Sequence, residues 1–351
     1  MNMKWKRGLV AAAIAASVAV GGVAQAAEVH LRVVGNFSGN KKQVDGVERP
    51  FFKKLDERDD LKVTYNTMDA IGVDAANALR LIRAGAFDIM SVQIGMASRD
   101  DPFFEGVDLA GVAQDLDEQR KVVDAYREAF DQRLQQRFNA KLLALWPFGP
   151  QVLFCKGDIK STNDLKGKKI RVFTPSMSRL VEGLGGTPVT LQFSEVYLAL
   201  QRGVADCGVT APTAGNSGKW PEVTDHLVPL PLSYSVQGHF MNLNTWKRLS
   251  PQQQQELTAE FAKMEQAMWD IARNVNDDAI ACSTGGDCNE HEQYKMTLVG
   301  LGADSKEQVR AMTEQQVLPV WANTCNSVWS ECAGIWNGSV GKATSYEVKA
   351  K

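Results

Sequence analysis

An α/β fold of two related lobes is what this sequence predicts, on three observations. Short apolar strands alternate with amphipathic helices through both halves of the chain, the order that gives mostly parallel sheets covered on both faces. A passage from helix through Gly-x-x-Asp into strand occurs at the same place in each half. It reads Leu81-Ile82-Arg83-Ala84-Gly85-Ala86-Phe87-Asp88 in the first and Leu200-Gln201-Arg202-Gly203-Val204-Ala205-Asp206 in the second. A helical pattern from Ser250 to Cys282 is longer than one lobe needs. The 351 residues hold enough material for two cores at roughly 150 residues per domain.

In the first half, Val29 to Val34 reads as a strand that ends in a Gly35-Asn36 turn. A helix follows over 49–58, and Leu61 to Tyr65 is the second strand. Asp74 to Ala84 is helical because Ala75, Ala78, Leu79 and Ile82 share one face, and Gly85 closes it before the strand Phe87 to Val92. In the second half, Lys169 to Phe173 is a strand, Pro175 to Leu184 a helix stopped by Gly185-Gly186, and Val189 to Leu191 a strand. Ser194 caps a helix running to Gln201 that stops at Gly203, and Val204 to Thr210 returns as a strand. Ser250-Pro251 is an N-cap followed by proline at the first helical position, and Leu257, Phe261, Met264, Met268, Ile271, Val275 and Ala279 then recur at helical spacing. Unbroken, this helix is about 45 Å long and could back both lobes. A break around Asn274 to Asp278 is the alternative.

The chain opens with Lys4-Trp5-Lys6-Arg7, an apolar run from Gly8 to Val23 and then Ala24-Gln25-Ala26, the pattern of an export signal cleaved near Ala26. The run is short for a ~30 Å hydrocarbon core, so a cleaved signal fits better than an anchor and the body is expected in the periplasm. Leaving out Lys4, Lys6 and Arg7, 36 basic residues remain of 39, against 41 acidic. A mildly acidic body without a basic stripe argues against nucleic acid and anionic membrane surfaces as main partners.

Six cysteines, all beyond the signal, favour disulfides in an exported chain. No C-x-x-C or H-x-x-x-H offers metal-ligand spacing, and the four histidines are scattered, so no metal is expected. Cys282 and Cys288 flank a turn-rich loop. Cys325 and Cys332 would lie about 10 Å apart on an unbroken helix, so pairing them requires a break, which Asn326-Ser327 could supply. Cys155 and Cys207 remain, each on a strand of the second half. The expected bridges are Cys155–Cys207, Cys282–Cys288 and Cys325–Cys332.

Catalytic motifs are missing: there is no G-x-S-x-G, no G-x-x-x-x-G-K-[ST] and no H-E-x-x-H. Neither a cofactor nor an enzymatic activity is expected. Asp100-Asp101 and Asp115/Asp117 read as caps and solvated turns, and His291 as a loop residue. Arg171 differs, because it interrupts the apolar strand Ile170-Arg171-Val172-Phe173, where an unpaired guanidinium is costly to bury. Spacing alone leaves two readings open: an internal salt bridge or edge position facing water, and an anion clamp at the crevice beyond the strand's carboxyl end.

Asp164-Leu165-Lys166-Gly167-Lys168-Lys169-Ile170-Arg171-Val172, then Gly185-Gly186-Thr187-Pro188-Val189, Phe193-Ser194-Glu195-Val196-Tyr197 and Ala199-Leu200-Gln201-Arg202-Gly203, together resemble the substrate-binding protein of a TRAP transporter (tripartite ATP-independent periplasmic transporter, DctP-like family). The resemblance implies a two-lobed periplasmic binding protein fold with a ligand cleft between the lobes and a long helix spanning both. It implies a small organic acid as ligand, Arg171 on its carboxylate, and membrane permease subunits as partners. A role presenting ligand to a sensor or chemoreceptor is the alternative. Where many members carry a second arginine this chain offers Gln151, and where many carry an asparagine it has a Thr210/Thr213 stretch. One positive charge fewer suggests a monoacid.

Loops at strand ends supply the other pocket candidates: Asn36, Phe37, Gln93, Trp146, Phe148, Phe173, Thr210, Tyr234 and His239, with Trp220 read rather as lobe core. The expected division places 27–149 and 237–275 in the first lobe and 150–236 and 276–351 in the second, with crossings near Gly149-Pro150 and Ser235-Gly238. A monomer is expected.

Overall fold

The computed structural model describes residue 1 and residues 28–349, so the export-signal segment lies outside the described residues. Eleven strands are defined there: β1 (Val29–Gly35), β2 (Leu61–Thr67), β3 (Ile89–Gln93), β4 (Ala140–Pro147), β5 (Val152–Cys155), β6 (Lys169–Val172), β7 (Thr187–Thr190), β8 (Cys207–Thr210), β9 (His226–Val228), β10 (Val236–Asn242) and β11 (Thr297–Leu298). They form one sheet of five strands, ordered β2-β1-β3-β10-β4, and one of six, ordered β11-β9-β5-β8-β6-β7. In the first, β1 runs parallel to β2 and β3, while β10 is antiparallel to β3 and β4. In the second, β6 runs parallel to β7 and β8, while β5 is antiparallel to β8 and β9. Each sheet thus has one parallel half made by strand–helix–strand units, β2-β1-β3 in the first and β8-β6-β7 in the second, and another half reached through antiparallel pairs that includes the strands entering and leaving the crossings.

The chain crosses between the sheets at 148–151 and at 229–235. The second crossing lies earlier than expected: Gly238 is inside β10, paired with Val92 and Leu145. The two crossings run side by side. The Gln151 amide donates to the Ser233 carbonyl at 2.8 Å and the Leu232 amide to the Gln151 carbonyl at 2.9 Å. Each carries one residue in the left-handed region, Gly149 at φ 137° and Ser235 at φ 51°.

The long helix is unbroken over Pro251–Thr284, so the alternative break at 274–278 does not occur. Ser250 caps it by accepting the Gln253 amide, Gln253 reaches back to the Ser250 amide, and Gly285 ends it in the left-handed conformation. Its apolar stripe, including Leu257, Phe261, Met264, Met268 and Val275, is buried. Trp269 Nε1 donates to the Leu145 carbonyl on β4, and Asn276 Nδ2 to the Phe148 carbonyl in the first crossing. The helix continues past the crossings to contact β9 and the helix Pro212–Ser217, and so backs both sheets.

The C-terminal helices depart from the expected division. Trp321 Nε1 donates to the Pro102 carbonyl, Trp336 Nε1 to the Gly106 carbonyl and Tyr346 Oη to the Gly111 carbonyl. The segment after Thr313 therefore packs on the first lobe, not on the second alone. The reason is apolar area, since Trp321 and Trp336 bury themselves beside Phe103, Tyr126 and Phe130.

The structure contains the bridges Cys155–Cys207, Cys282–Cys288 and Cys325–Cys332. The first joins directly opposed residues of β5 and β8. The last closes over a break at Trp329, which ends the helix Leu318–Val328 in extended conformation. That break lies beyond the expected Asn326-Ser327, which are still helical. Asp101 is not a solvated turn residue. It is fully buried, caps the turn that follows by accepting the Phe103 amide, and pairs with Arg133 at 2.7 Å. No helix among the described residues is long and apolar enough to cross a membrane.

Candidate functional site

Arg171 lies on β6 between Val189 of β7 and Gly208 of β8. Only 3% of it is exposed. Its Nε donates to the Leu191 carbonyl at 3.0 Å and its Nη1 to the Val209 carbonyl at 2.9 Å. The guanidinium carbon stands 5.1 Å from the Phe173 ring and 5.9 Å from the Trp220 ring. Gly208 makes room for that tryptophan, since a Cβ there would meet the indole at 2.7 Å. Among the described residues no carboxylate reaches ion-pair distance of Arg171. Burial lowers its pKa from 12.5 to about 10, and Glu195 opposes the shift from a distance. Among the described residues Arg171 has no internal salt bridge, and it does not face water from an edge, since β6 lies between β8 and β7.

The cation is thus positioned by main-chain carbonyls and aromatic faces, with no carboxylate among the described residues at ion-pair distance. Arg171 stands one residue from the carboxyl end of β6, and its guanidinium reaches the carbonyls of Leu191, just after β7, and of Val209, one residue before the end of β8 at Thr210. Open α/β sheets place ligands at such edges. Thr210 is buried there, and Phe193 is 42% exposed while its ring stacks on Trp220 at 5.4 Å. Phe193 stands inside the Phe-Ser-Glu-Val-Tyr motif that carries the resemblance but is not among the pocket candidates at strand ends.

On the first lobe, Asn36 follows β1 and Gln93 ends β3. Asn36 Oδ1 accepts from the Phe37 amide and from Asn40 Nδ2, while its buried Nδ2 has no partner. Phe37 is exposed. Gln93 Nε2 donates to Ser235 Oγ at 2.9 Å and Gln151 Nε2 to the Gly149 carbonyl at 2.9 Å, so both side chains serve the crossings.

The remaining candidates are not gathered around Arg171. His239 is completely buried in the first lobe, with Nε2 3.0 Å from Glu48 Oε1, and its Nδ1 accepts from Trp146 Nε1 at 3.2 Å. Glu48 Oε2 in turn accepts from the Asn36 amide and the Tyr65 hydroxyl. Phe148 is buried beside Trp146. Tyr234 is buried in the second crossing, where burial raises the pKa of its hydroxyl.

Two carboxylates tie the first lobe to the crossings and to the second lobe. Asp108 accepts the Tyr234 and Val236 amides, both at 3.0 Å. Glu105 accepts the Ser176 amide at 2.9 Å, at the start of the helix Pro175–Gly183. Burial raises the pKa of both, that of Asp108 to about 7, against the pull of those amides. Neither was legible in the sequence, because their partners are main-chain groups far along the chain.

His291 is a partly buried loop residue bonded to Asp278 at 2.6 Å. Asp278, Cys282 and His291 lie close enough to suggest a metal set, but Cys282 is spent in its disulfide and has no thiolate to offer. Cavities of about 400 and 470 Å³ lie elsewhere, the first between the helices Leu116–Phe138 and Ala303–Met312 and the second beside Arg80, Arg83 and Arg137. Arg171 lines neither.

Two sheets joined by paired crossings, a helix behind both and a buried cation at the strand ends define a two-lobed solute-binding protein. The chain belongs to the bacterial extracellular solute-binding protein family 7 (DctP), whose pattern matches residues 38–323. It is similar to the sialic acid-binding periplasmic protein SiaP of Vibrio cholerae, 28% identical over 193 residues covering 54% of this chain and 60% of SiaP. The structure resembles DctP7, a Bordetella pertussis extracytoplasmic solute receptor binding pyroglutamic acid, with a TM-score of 0.75 at 19% identity over 88% of this chain and 99% of that one. It also resembles a TRAP periplasmic solute-binding protein from Rhodoferax ferrireducens with bound malonate, with a TM-score of 0.76 at 17% identity over 90% and 98% of the two chains. The chain spans about 60% of the length of SiaP. Family members are periplasmic, extracytoplasmic receptors.

Proposed function

We propose that this protein captures a small organic acid between its lobes, with Arg171 gripping the carboxylate, and delivers it to the membrane subunits of a TRAP-type permease. The observation that carries this reading is a buried guanidinium held in place by two carbonyls, with no carboxylate among the described residues at ion-pair distance. An arginine fork matches a carboxylate in one plane, which a lysine cannot reproduce. Pyroglutamic acid in DctP7 and malonate in the Rhodoferax protein support an acid as the ligand class. A single carboxylate is favoured, because Gln151 stands where many family members carry a second arginine, and its side chain is bonded to the Gly149 carbonyl. Export by the signal ending near Ala26 would place the protein in the periplasm, where the membrane subunits are reached.

A thermal-shift screen of organic acids tests this, since a ligand that binds only the native state raises its melting temperature. At least one monocarboxylic acid should stabilise the wild type and leave Arg171→Ala unmoved. Equal stabilisation of both proteins by the same acid would overturn the assignment.

A further inference from the structure

We infer that the loop 285–296 is an interlobe latch, shaped by the Cys282–Cys288 disulfide, in which Glu290 of the second lobe engages Lys42 of the first. The inference rests on the two-lobed reading and not on the identity of the acid. The loop is unusually well tied for a surface segment. Asp278, one helical turn before Cys282, accepts the Asn289 amide at 3.0 Å, Asn289 Nδ2 at 3.2 Å and the Glu290 amide at 3.2 Å, and it pairs with His291 Nδ1 at 2.6 Å. Three successive residues are therefore pinned to one carboxylate, and the disulfide, six residues in span, closes the turn beneath them. His291 holds that carboxylate ionised, with its pKa lowered to about 2.

The far end of the loop is fastened to the second lobe. Asn216 Nδ2 donates to the Glu292 carbonyl at 2.7 Å, and the Glu292 amide returns a bond to Asn216 Oδ1 at 3.1 Å. Asn216 belongs to the helix Pro212–Ser217, which directly follows β8 at the edge where Arg171 sits. Lys42 belongs to the short helix Lys41–Gln43, which follows the Asn36 turn at the corresponding edge of the first lobe. The Lys42–Glu290 ion pair therefore joins the two strand-end edges from outside. Among the described residues no other ion pair links 28–147 to 150–235 or 276–312.

Opening the lobes must separate Lys42 from Glu290, since each moves with its own sheet. Both side chains are roughly half exposed, so the pair is weak by itself and screened by salt. Its effect depends on Glu290 being held in place beforehand, which lowers the ordering cost of the contact. The disulfide supplies that order, so reducing it loosens closure without touching the ligand edge.

Carbodiimide coupling, which joins only an amine and a carboxylate already in contact, tests the latch on the full exported chain with its disulfides intact. Peptide mapping should find a Lys42–Glu290 amide, and Cys282→Ser/Cys288→Ser should lower its yield about two- to fivefold, the range an exposed ion pair commands. Coupling of Glu290 only to lysines of its own lobe would overturn the proposal. Should the cysteine variant fail to fold, charge reversal decides. Lys42→Glu and Glu290→Lys should each enlarge the radius of gyration in small-angle scattering, and Lys42→Glu/Glu290→Lys together should restore it. A double reversal as expanded as the single ones, or single reversals no larger than the wild type, refutes the latch. None of these readouts needs a bound acid, so failure of the latch and failure of the Arg171 assignment are told apart.

Discussion

Arg171 donates from Nη1 to the Val209 carbonyl at 2.9 Å, across the seam between β6 and β8. With Nε on the Leu191 carbonyl, two of the guanidinium's donors go to main chain on neighbouring segments. The group is thereby oriented before any ligand arrives, and its charge stays unneutralised. Preorganisation of this kind lowers the cost of binding.

Removing the cation should accordingly leave a bound carboxylate buried and unpaired, a loss of about 3–5 kcal/mol. At about 1.4 kcal/mol per decade, Arg171→Ala should weaken binding roughly 100- to 4,000-fold. Arg171→Lys should also lose affinity, because a point charge supplies no fork. Stability should change less, since the variant loses two hydrogen bonds but also sheds an uncompensated buried charge. Titration calorimetry, with circular dichroism to confirm folding, checks both claims. A folded Arg171→Ala protein with wild-type affinity would sink the anchor role.

The proposed anchor is legible because a charge inside Ile170-Arg171-Val172-Phe173 breaks an apolar strand, and the long helix because its stripe holds one period from Leu257 to Ala279. Contacts between distant main-chain groups leave no such trace. Asp108 reaches amides 126 and 128 residues away, and Trp336 a carbonyl 230 residues away. The left-handed Ser235 carries no glycine to announce it. Strand-end proximity puts His239 at the cleft, whereas its partner Glu48, 191 residues earlier, holds it in the lobe interior, a contact no sequence pattern announces.

Asp108 should make stability depend on pH. Its folded pKa of about 7 lies above the unfolded value, 3.8, so between those values the folded state binds the extra proton. Stability from this group is full below about pH 4 and is lost as pH rises towards 7; Glu105, also raised by burial, adds in the same direction. Urea unfolding from pH 4.5 to 7.5 should show a falling contribution in the wild type, and the fall should shrink in Asp108→Asn. Identical slopes in the two proteins would show that Asp108 titrates at its ordinary value.

Gly149 is required where it stands. It adopts φ 137°, and a Cβ would meet Asn276 Nδ2 at 2.1 Å. Gly149→Ala should cost about 1–3 kcal/mol, from backbone strain and the displaced Asn276. Gly203, at φ 70° with nothing within 4 Å, is the control for strain alone, and Gly203→Ala should cost less. Denaturant midpoints of the two variants make the comparison, and equal losses would leave the packing of Asn276 against the crossing without energetic weight.

Glu48 and His239 should matter to the fold of the first lobe more than to ligand affinity. Both are completely buried, and each leaves the other stranded if removed. His239 Nδ1 accepts from Trp146, which leaves Nε2 to carry the proton shared with Glu48. Breaking such a pair costs about 3–5 kcal/mol, and the double variant should lose less than the sum of the single ones because the stranded partner is gone too. His239→Ala, Glu48→Ala and His239→Ala/Glu48→Ala, unfolded in urea, give the cycle. Under conditions where His239→Ala is still folded, its affinity for the acid should stay within about threefold of wild type, as expected of a residue beneath the cleft and not in it. A His239→Ala protein of undiminished stability that no longer binds the acid would return His239 to the ligand site.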